Sequence, residues 1–307
     1  ILNIYFNDLY TLCVNYIQFN DTTTTTNTHT TDTHKTHAGV ISVQEICIQL
    51  LAAIFDAGDG HIEAYYPKIL PILLNLIKST HLNVHQQQLG AYTIDCLGIV
   101  ILAAGADIYQ QHHQETMNLL LHLHQENKDA TNDPRNDELD QCFVRICETI
   151  GGIDFLPYLH LLMPKLLKNA SINDEAEIIL DGENKSQYEG QDGYTSTSIN
   201  LRSLGPKQLI MNIDKIAIKT MAIQALRQYA ELLGEHYYPF VSSTAQIVVP
   251  LFNYQFQLKI REEAGKCAPL LLAATFAKYQ EQQQQLEQQG EEVTLAYIQQ
   301  LWDYISP

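Results

Sequence analysis

Histidine, cysteine and carboxylate are the side chains here that could do chemistry, and their spacing decides which chemistry. Three histidine groups stand out among the 12 histidines: His29, His34 and His37 in a threonine tract, the pair His81/His85, and the adjacent His112/His113. A metal site needs three or four donors converging in fixed geometry. The first group is irregularly spaced with no cysteine or carboxylate cage around it, and neither pair has a third ligand in sequence range. These rings read as solvated or core-edge histidines. The six cysteines (Cys13, Cys47, Cys96, Cys142, Cys147 and Cys267) form no CxxC. Most fall in apolar helical stretches, the pattern of buried free thiols in a reducing compartment.

Carboxylates are the commonest candidates. They concentrate in Ser171–Lys207, where Asp174, Glu175, Glu177, Asp181, Glu183, Glu189 and Asp192 stand against Lys185, Arg202 and Lys207. A catalytic carboxylate pair needs a shaped, partly buried pocket, and a stretch otherwise filled with Gly, Ser and Thr promises none. Such a segment can instead attract cationic groups at long range. There is no GxGxxG, P-loop, GxSxG or HExxH. No enzyme, cofactor or metal is therefore expected, and a binding scaffold fits better. Lys and Arg number 18 against 35 Asp and Glu, a net charge of -17. That disfavours direct nucleic-acid binding, which needs clustered cations, and favours basic protein ligands. The longest apolar run, Ile94–Ala104, is too short to span a bilayer, and no basic leader precedes an apolar run. No membrane insertion is expected.

The elements that must position these groups are helices. Tyr65–Lys78, YYPKILPILLNLIK, recurs imperfectly at Tyr158–Lys168 and at Tyr237–Phe252. Each copy starts with aromatic residues, continues as an apolar helix and contains a proline: Pro71, Pro164 or Pro250. Pro71 and Pro164 are about two periods of ~46 residues apart, the length of a HEAT or armadillo repeat. With Ser171–Lys207 set aside, Pro164 and Pro250 are about one period apart. A helix recurring at this period, packed on its neighbours, makes a solenoid.

Residues 1–39 read as a low-complexity segment outside the array, without a clean helical stripe. Three repeats follow over residues 40–170. Val43, Ile46, Cys47, Leu50, Leu51 and Ile54 give the first stripe, and Ile69, Leu70, Leu73, Leu76 and Ile77 the second. Pro71 should kink or end that second helix. Val84–Ala104 is apolar nearly all round, as an interior helix should be, and its partner buries Met117, Leu120, Leu121 and His124. Pro134 starts the third pair, with a stripe of Leu139, Cys142, Phe143, Ile146, Cys147 and Ile150. Residues 171–208 read as a long acidic inter-repeat loop. About two further repeats occupy 209–307, the last one cut short. Ile216, Lys219, Ala222, Ile223, Leu226 and Tyr229 line the first of them, and a new helix begins at Leu258.

Taken in order, these segments resemble the importin beta superfamily, closest to its importin beta-3 (importin-5 type) subfamily. The residues that carry the likeness are VQEICIQLLAAIFDAG at 43–58, AYYPKILPILLNLI at 64–77, YLHLLMPKLLKNASI at 158–172, KTMAIQALRQYAELL at 219–233, IVVPLF at 247–252, APLLLAA at 268–274 and AYIQQLW at 296–302. The acidic stretch ending Gln191-Asp192-Gly193-Tyr194 is similar to the insert that follows the same repeat in that subfamily. The resemblance implies an all-α HEAT-repeat superhelical solenoid of antiparallel helix pairs, corresponding to middle repeats of a longer chain. It implies a nuclear transport receptor that binds basic nuclear localisation signals of cargo and Phe-Gly nucleoporins, and releases cargo to Ran-GTP, which is held mainly by repeats absent from this stretch. It implies residence in cytoplasm and nucleus, with association at the nuclear pore and envelope. Glu175, Glu177, Asp181, Glu183 and Asp192 are the expected cargo contacts. The other reading open to such a helix array is a scaffold subunit of a phosphatase-type or chromosome-organising complex.

Overall fold

The computed structural model describes residues 2–18, 33–57, 62–81, 83–127, 133–173, 176–179, 193–201 and 205–289. It divides into two compact units, residues 1–151 and 152–307.

The first unit is built around α4 (Gln87–Ala104), which packs on α2 (Thr33–Asp56), α3 (Ile62–His81) and α7 (Arg135–Ile150). Short connections between helices that touch impose antiparallel pairing. Leu89, Ile94, Cys96, Leu97, Val100 and Ile101 of α4 are all buried, on every face of the helix. The whole of α4 is long and apolar enough to cross a membrane, a property missed when only Ile94–Ala104 is counted. Its burial among three neighbours gives the physical reason: an interior repeat helix carries apolar residues all round. Gly98 lets α7 approach closely, because a Cβ there would sit 3.2 Å from the Cys142 Cα. The α7 stripe of Leu139, Cys142, Phe143, Ile146 and Cys147 is buried as its spacing predicts. The short α5 (Ala106–Tyr109) leads into α6 (His113–Asn127), which buries Met117, Leu120, Leu123 and His124.

Three expectations change in this unit. Residues Leu2–Ile17, expected outside the array, form helix α1, packed on α2. Phe6, Tyr10, Cys13 and Ile17 are its buried face, and their helical spacing was obscured by the Asn and Asp residues between them. Phe6 and Tyr10 meet Phe55 at 5.8 and 6.5 Å between ring centroids. In α2 the buried face is rotated from the expected one. Cys47, Leu51 and Ile54 are buried, but so are Gln44, Ile48 and Phe55, while Val43, Ile46 and Leu50 are exposed. The helix is apolar on two sides, and periodicity alone cannot choose between them. Gln44 tips the choice by donating from Nε2 to the Ile17 carbonyl at 2.9 Å, which closes the end of α1. Finally, α3 runs through Pro67 and Pro71 to His81. Both rings lie at exposed positions, where water can replace the helical bond that each proline removes.

The second unit packs α8 (Gly152–Ala170) on α9 (Ile213–Leu233), α9 on α11 (Leu258–Gln289), and α10 (Tyr238–Val248) on α11. At Gly152 a Cβ would lie 2.8 Å from the Leu232 carbonyl, so this residue permits the close start of α8 against the end of α9. Phe155 stacks on Tyr229 at 5.7 Å. The buried Tyr237 hydroxyl shares a 2.8 Å hydrogen bond with Thr244. Between α8 and α9 the chain forms a three-stranded antiparallel sheet, β1 (Ala176–Ile179), β2 (Tyr194–Leu201) and β3 (Gly205–Asn212), in the order β1-β3-β2. Part of the segment expected as loop is therefore strand. Its acids and hydroxyl residues look like loop by composition, whereas the Thr and Ile of YTSTSINL alternate with smaller polar residues, as in a strand. Asn212, the last residue of β3, caps α9 by accepting from the Lys215 amide at 2.9 Å.

Candidate protein-binding surface

Of the five acidic residues expected to contact cargo, Glu177 lies in β1, paired in register with Ile210 of β3. Glu175, Asp181, Glu183 and Asp192 lie outside the described residues. What the structure defines is the mounting of this acidic segment. Lys219 of α9, 2% exposed, donates from Nζ to the Ile172 carbonyl at 2.6 Å, and its ammonium lies 4.7 Å from the centre of the Tyr254 ring. The Lys219 ammonium thus holds the entry of the segment. At the exit, the Ile213 amide donates to the Gly193 carbonyl at 2.8 Å. Gly193 has φ 84°, and a Cβ there would fall 2.3 Å from the Asp214 carboxylate, so the turn into β2 requires glycine. Both ends of the acidic segment are fixed to α9. Lys219 carried no special signal, because at its helical spacing it looked like one more member of a buried stripe.

Charged pairs brace neighbouring first helices. Arg145 of α7 donates to Asp95 of α4 at 2.7 Å. Burial, helped by the Asp95 charge and opposed by Arg145, pushes the half-buried Glu138 carboxyl up to about 7. In the second unit the Glu263 carboxylate, 3% exposed, receives Arg227 at 2.6 Å, Lys259 at 3.0 Å and Lys266 at 3.2 Å. Burial by itself would raise its pKa. The hydrogen bonds from Lys259, Arg227 and Lys266 outweigh burial and hold it at about 2. A carboxylate so low is a fixed anion and no general acid. Asp133 is likewise kept below the usual carboxylate range, with burial overcome by its bonds to Arg135. Arg135 in turn donates to the His81 carbonyl at 3.0 Å, joining the end of α3 to the start of α7. All six cysteines are free and buried. Burial pushes the Cys142, Cys147 and Cys267 thiols up to about 12, which leaves them unreactive as nucleophiles.

The second helices carry a recess. Ile17, Gln18, Lys68, Pro71, Ile72, Asn75, Leu76 and Ser79 line a groove of about 680 Å³ beside α1 and α3. Its apolar walls and amide rim suit an extended peptide. Farther along α3, His81 lies against His122 and Glu126 of α6. Neighbouring positions in sequence did not indicate this grouping, since His81 and α6 are two helices apart. His112 and His113 instead pack edge-on to Tyr66 and Tyr109, at 5.6 and 5.3 Å.

Helix pairs of this length, stacked through their first helices and braced by charge, define a HEAT-type repeat protein. No family model matches the chain. Importin subunit beta-3 of Saccharomyces cerevisiae is 26% identical over 247 residues, 80% of this chain and 22% of that protein. The probable importin-5 homolog of Dictyostelium discoideum is 21% identical over 225 residues, 73% of this chain and 19% of that protein. The crystal structure of Kap121p is similar with a TM-score of 0.72 at 22% identity, covering 91% of this chain and 24% of that one. Kap121p bound to Nup53p gives 0.71 at 23% identity over the same shares. The fold is that of the karyopherin solenoid. The chain belongs to the importin beta (karyopherin) family over most of its length. It spans about a fifth of the length of the curated relatives it matches.

Proposed function

We propose that this chain is the cargo-binding part of a nuclear import receptor. It binds Lys/Arg-rich import signals through its acidic surface, engages Phe-Gly nucleoporins, and yields cargo when Ran-GTP binds the receptor. It has no enzymatic role. The receptor moves between cytoplasm and nucleus and associates with the nuclear pore. The observation that carries this reading is the ordered likeness to importin beta-3 across 80% of the chain. Further support comes from the names of the similar structures: Kap121p is seen bound to Nup53p, Ste12p, Pho4p, the SUMO protease Ulp1p and the extreme C-terminus of the phosphatase Cdc14p.

The charge supports the same reading. A chain of net charge -17 draws basic ligands by long-range attraction that salt screens over about 8–10 Å. Glu177 and the neighbouring Glu175, Asp181, Glu183 and Asp192 are the proposed contacts, carried on a segment anchored at both ends to α9. Residues 40–170 and 209–307 act as the repeats that display them. The test is a pull-down of the full chain on beads carrying Phe-Gly repeats or a basic signal peptide, at low and high salt. Capture on both, with signal-peptide capture lost at high salt, is expected. Capture on neither would overturn the proposal.

A further inference from the structure

The geometry points to a divalent transition-metal site, of the zinc class, formed by His81 at the end of α3 with His122 and Glu126 on α6. One donor atom from each of the three side chains lies within 4.8 Å of the other two. His122 Nδ1 is 3.3 Å from Glu126 Oε2, and His81 Nε2 is in direct contact with the same oxygen. Donors around a tetrahedral ion bound at 2.0–2.1 Å sit about 3.3 Å apart. The cluster therefore reaches that spacing by small side-chain rotations. His122 and Glu126 are one helical turn apart, so α6 fixes their relation. The backbone of His81 is held by the Arg135 guanidinium on its carbonyl at 3.0 Å, itself gripped by Asp133. Two of the three ligands come from one rigid helix, and the third is braced from α7.

The donor set decides the ion. Two imidazoles and one carboxylate suit zinc, copper or nickel, and suit magnesium or calcium poorly. His122 is 63% and Glu126 46% exposed, which leaves a fourth position open to water and an entry path from solvent. His81 Nδ1 is buried with no hydrogen-bond partner. Metal-bound histidines usually donate from the second nitrogen, and loss of that support costs roughly 10–100-fold in affinity. The site is therefore of modest affinity. Bound metal clips α3 to α6 and replaces the His81–Glu126 contact, so it acts as a removable staple on the second-helix surface.

The experiment uses the untagged full chain, stripped with a chelator. Zinc binding is measured by calorimetry with magnesium as the comparison ion, and cobalt absorption reports the geometry. His122→Ala and Glu126→Gln alter exposed side chains, and circular dichroism checks that both variants fold. A third variant, His29→Ala/His34→Ala/His37→Ala, removes the other histidine group. The expected result is one zinc-selective site with tetrahedral cobalt bands. Its affinity falls at least tenfold in His122→Ala and in Glu126→Gln, and is unchanged in the triple variant. No zinc binding overturns the inference. So does binding that survives His122→Ala or disappears with the triple variant.

Discussion

Replacing Glu263 by glutamine removes the anion on which Arg227, Lys259 and Lys266 converge. The native carboxyl titrates at about 2 against a model value of 4.5. That displacement of about 2.5 units corresponds to a ceiling of about 3.4 kcal/mol at neutral pH. Lys259 and Lys266 are 47% and 59% exposed, and water screens their share. A loss of about 2 kcal/mol remains, chiefly from the Arg227 pair. The sign follows from the depressed pKa. The contribution is fully present above about pH 4.5 and fades as pH falls through about 2, so by pH 3 less than half of it should survive. Because Glu263 links α9 to α11, the loss should register in those helices. Urea unfolding at pH 7 and pH 3, with hydrogen exchange resolving the α9 and α11 amides, gives the readout. Equal protection in the two proteins at pH 7 would refute the reasoning. A difference undiminished at pH 3 would also refute it, because the effect would then come from packing instead of charge.

Glu138 has the opposite sign. Its carboxyl is raised to about 7, so its penalty is absent below about pH 4.5 and complete above about pH 7. Glu138→Gln should stabilise the chain by about 1 kcal/mol at pH 8, after discounting for solvent screening, and by nothing at pH 4; thermal melts at the two pH values check this. Phe143 is fully buried and packs edge-on to His124 at 5.9 Å. Phe143→Ala should cost about 3–5 kcal/mol, whereas Phe252→Ala, at a 42% exposed position, should stay within about 0.5 kcal/mol; urea midpoints of the two variants separate these cases.

The α7 face was legible because its apolar residues fall on one side of the helix, leaving the other side to Asp137, Asp140 and Glu148. The face of α2 was not, because Val43, Ile46 and Leu50 form a second apolar row as regular as the buried one. What selected the buried row was a tertiary contact, Gln44 on the end of α1. The sheet was hidden by composition, since acids and serines outweighed the strand pattern in β2. Its pairing runs from β2 through β3 to β1, and such pairing leaves no local signal. The acidic segment itself was conspicuous, and its anchoring was not. Lys219 and Ile172 meet across 47 residues. His81 likewise meets His122 and Glu126 only because consecutive second helices come together. Residues that act within one helix can be read from spacing, and residues joined by the repeat cannot.

The central claim is that the chain recognises basic import signals through its negative surface. A fluorescence anisotropy titration tests it most directly. The full chain is added to a labelled Lys/Arg-rich signal peptide, and separately to the same peptide with its cations replaced by serine, across a salt series. The account predicts saturable binding of the basic peptide that weakens steadily as salt rises, with no measurable binding of the serine peptide. Equal binding of the two peptides, or no binding of the basic peptide at low salt, would contradict it.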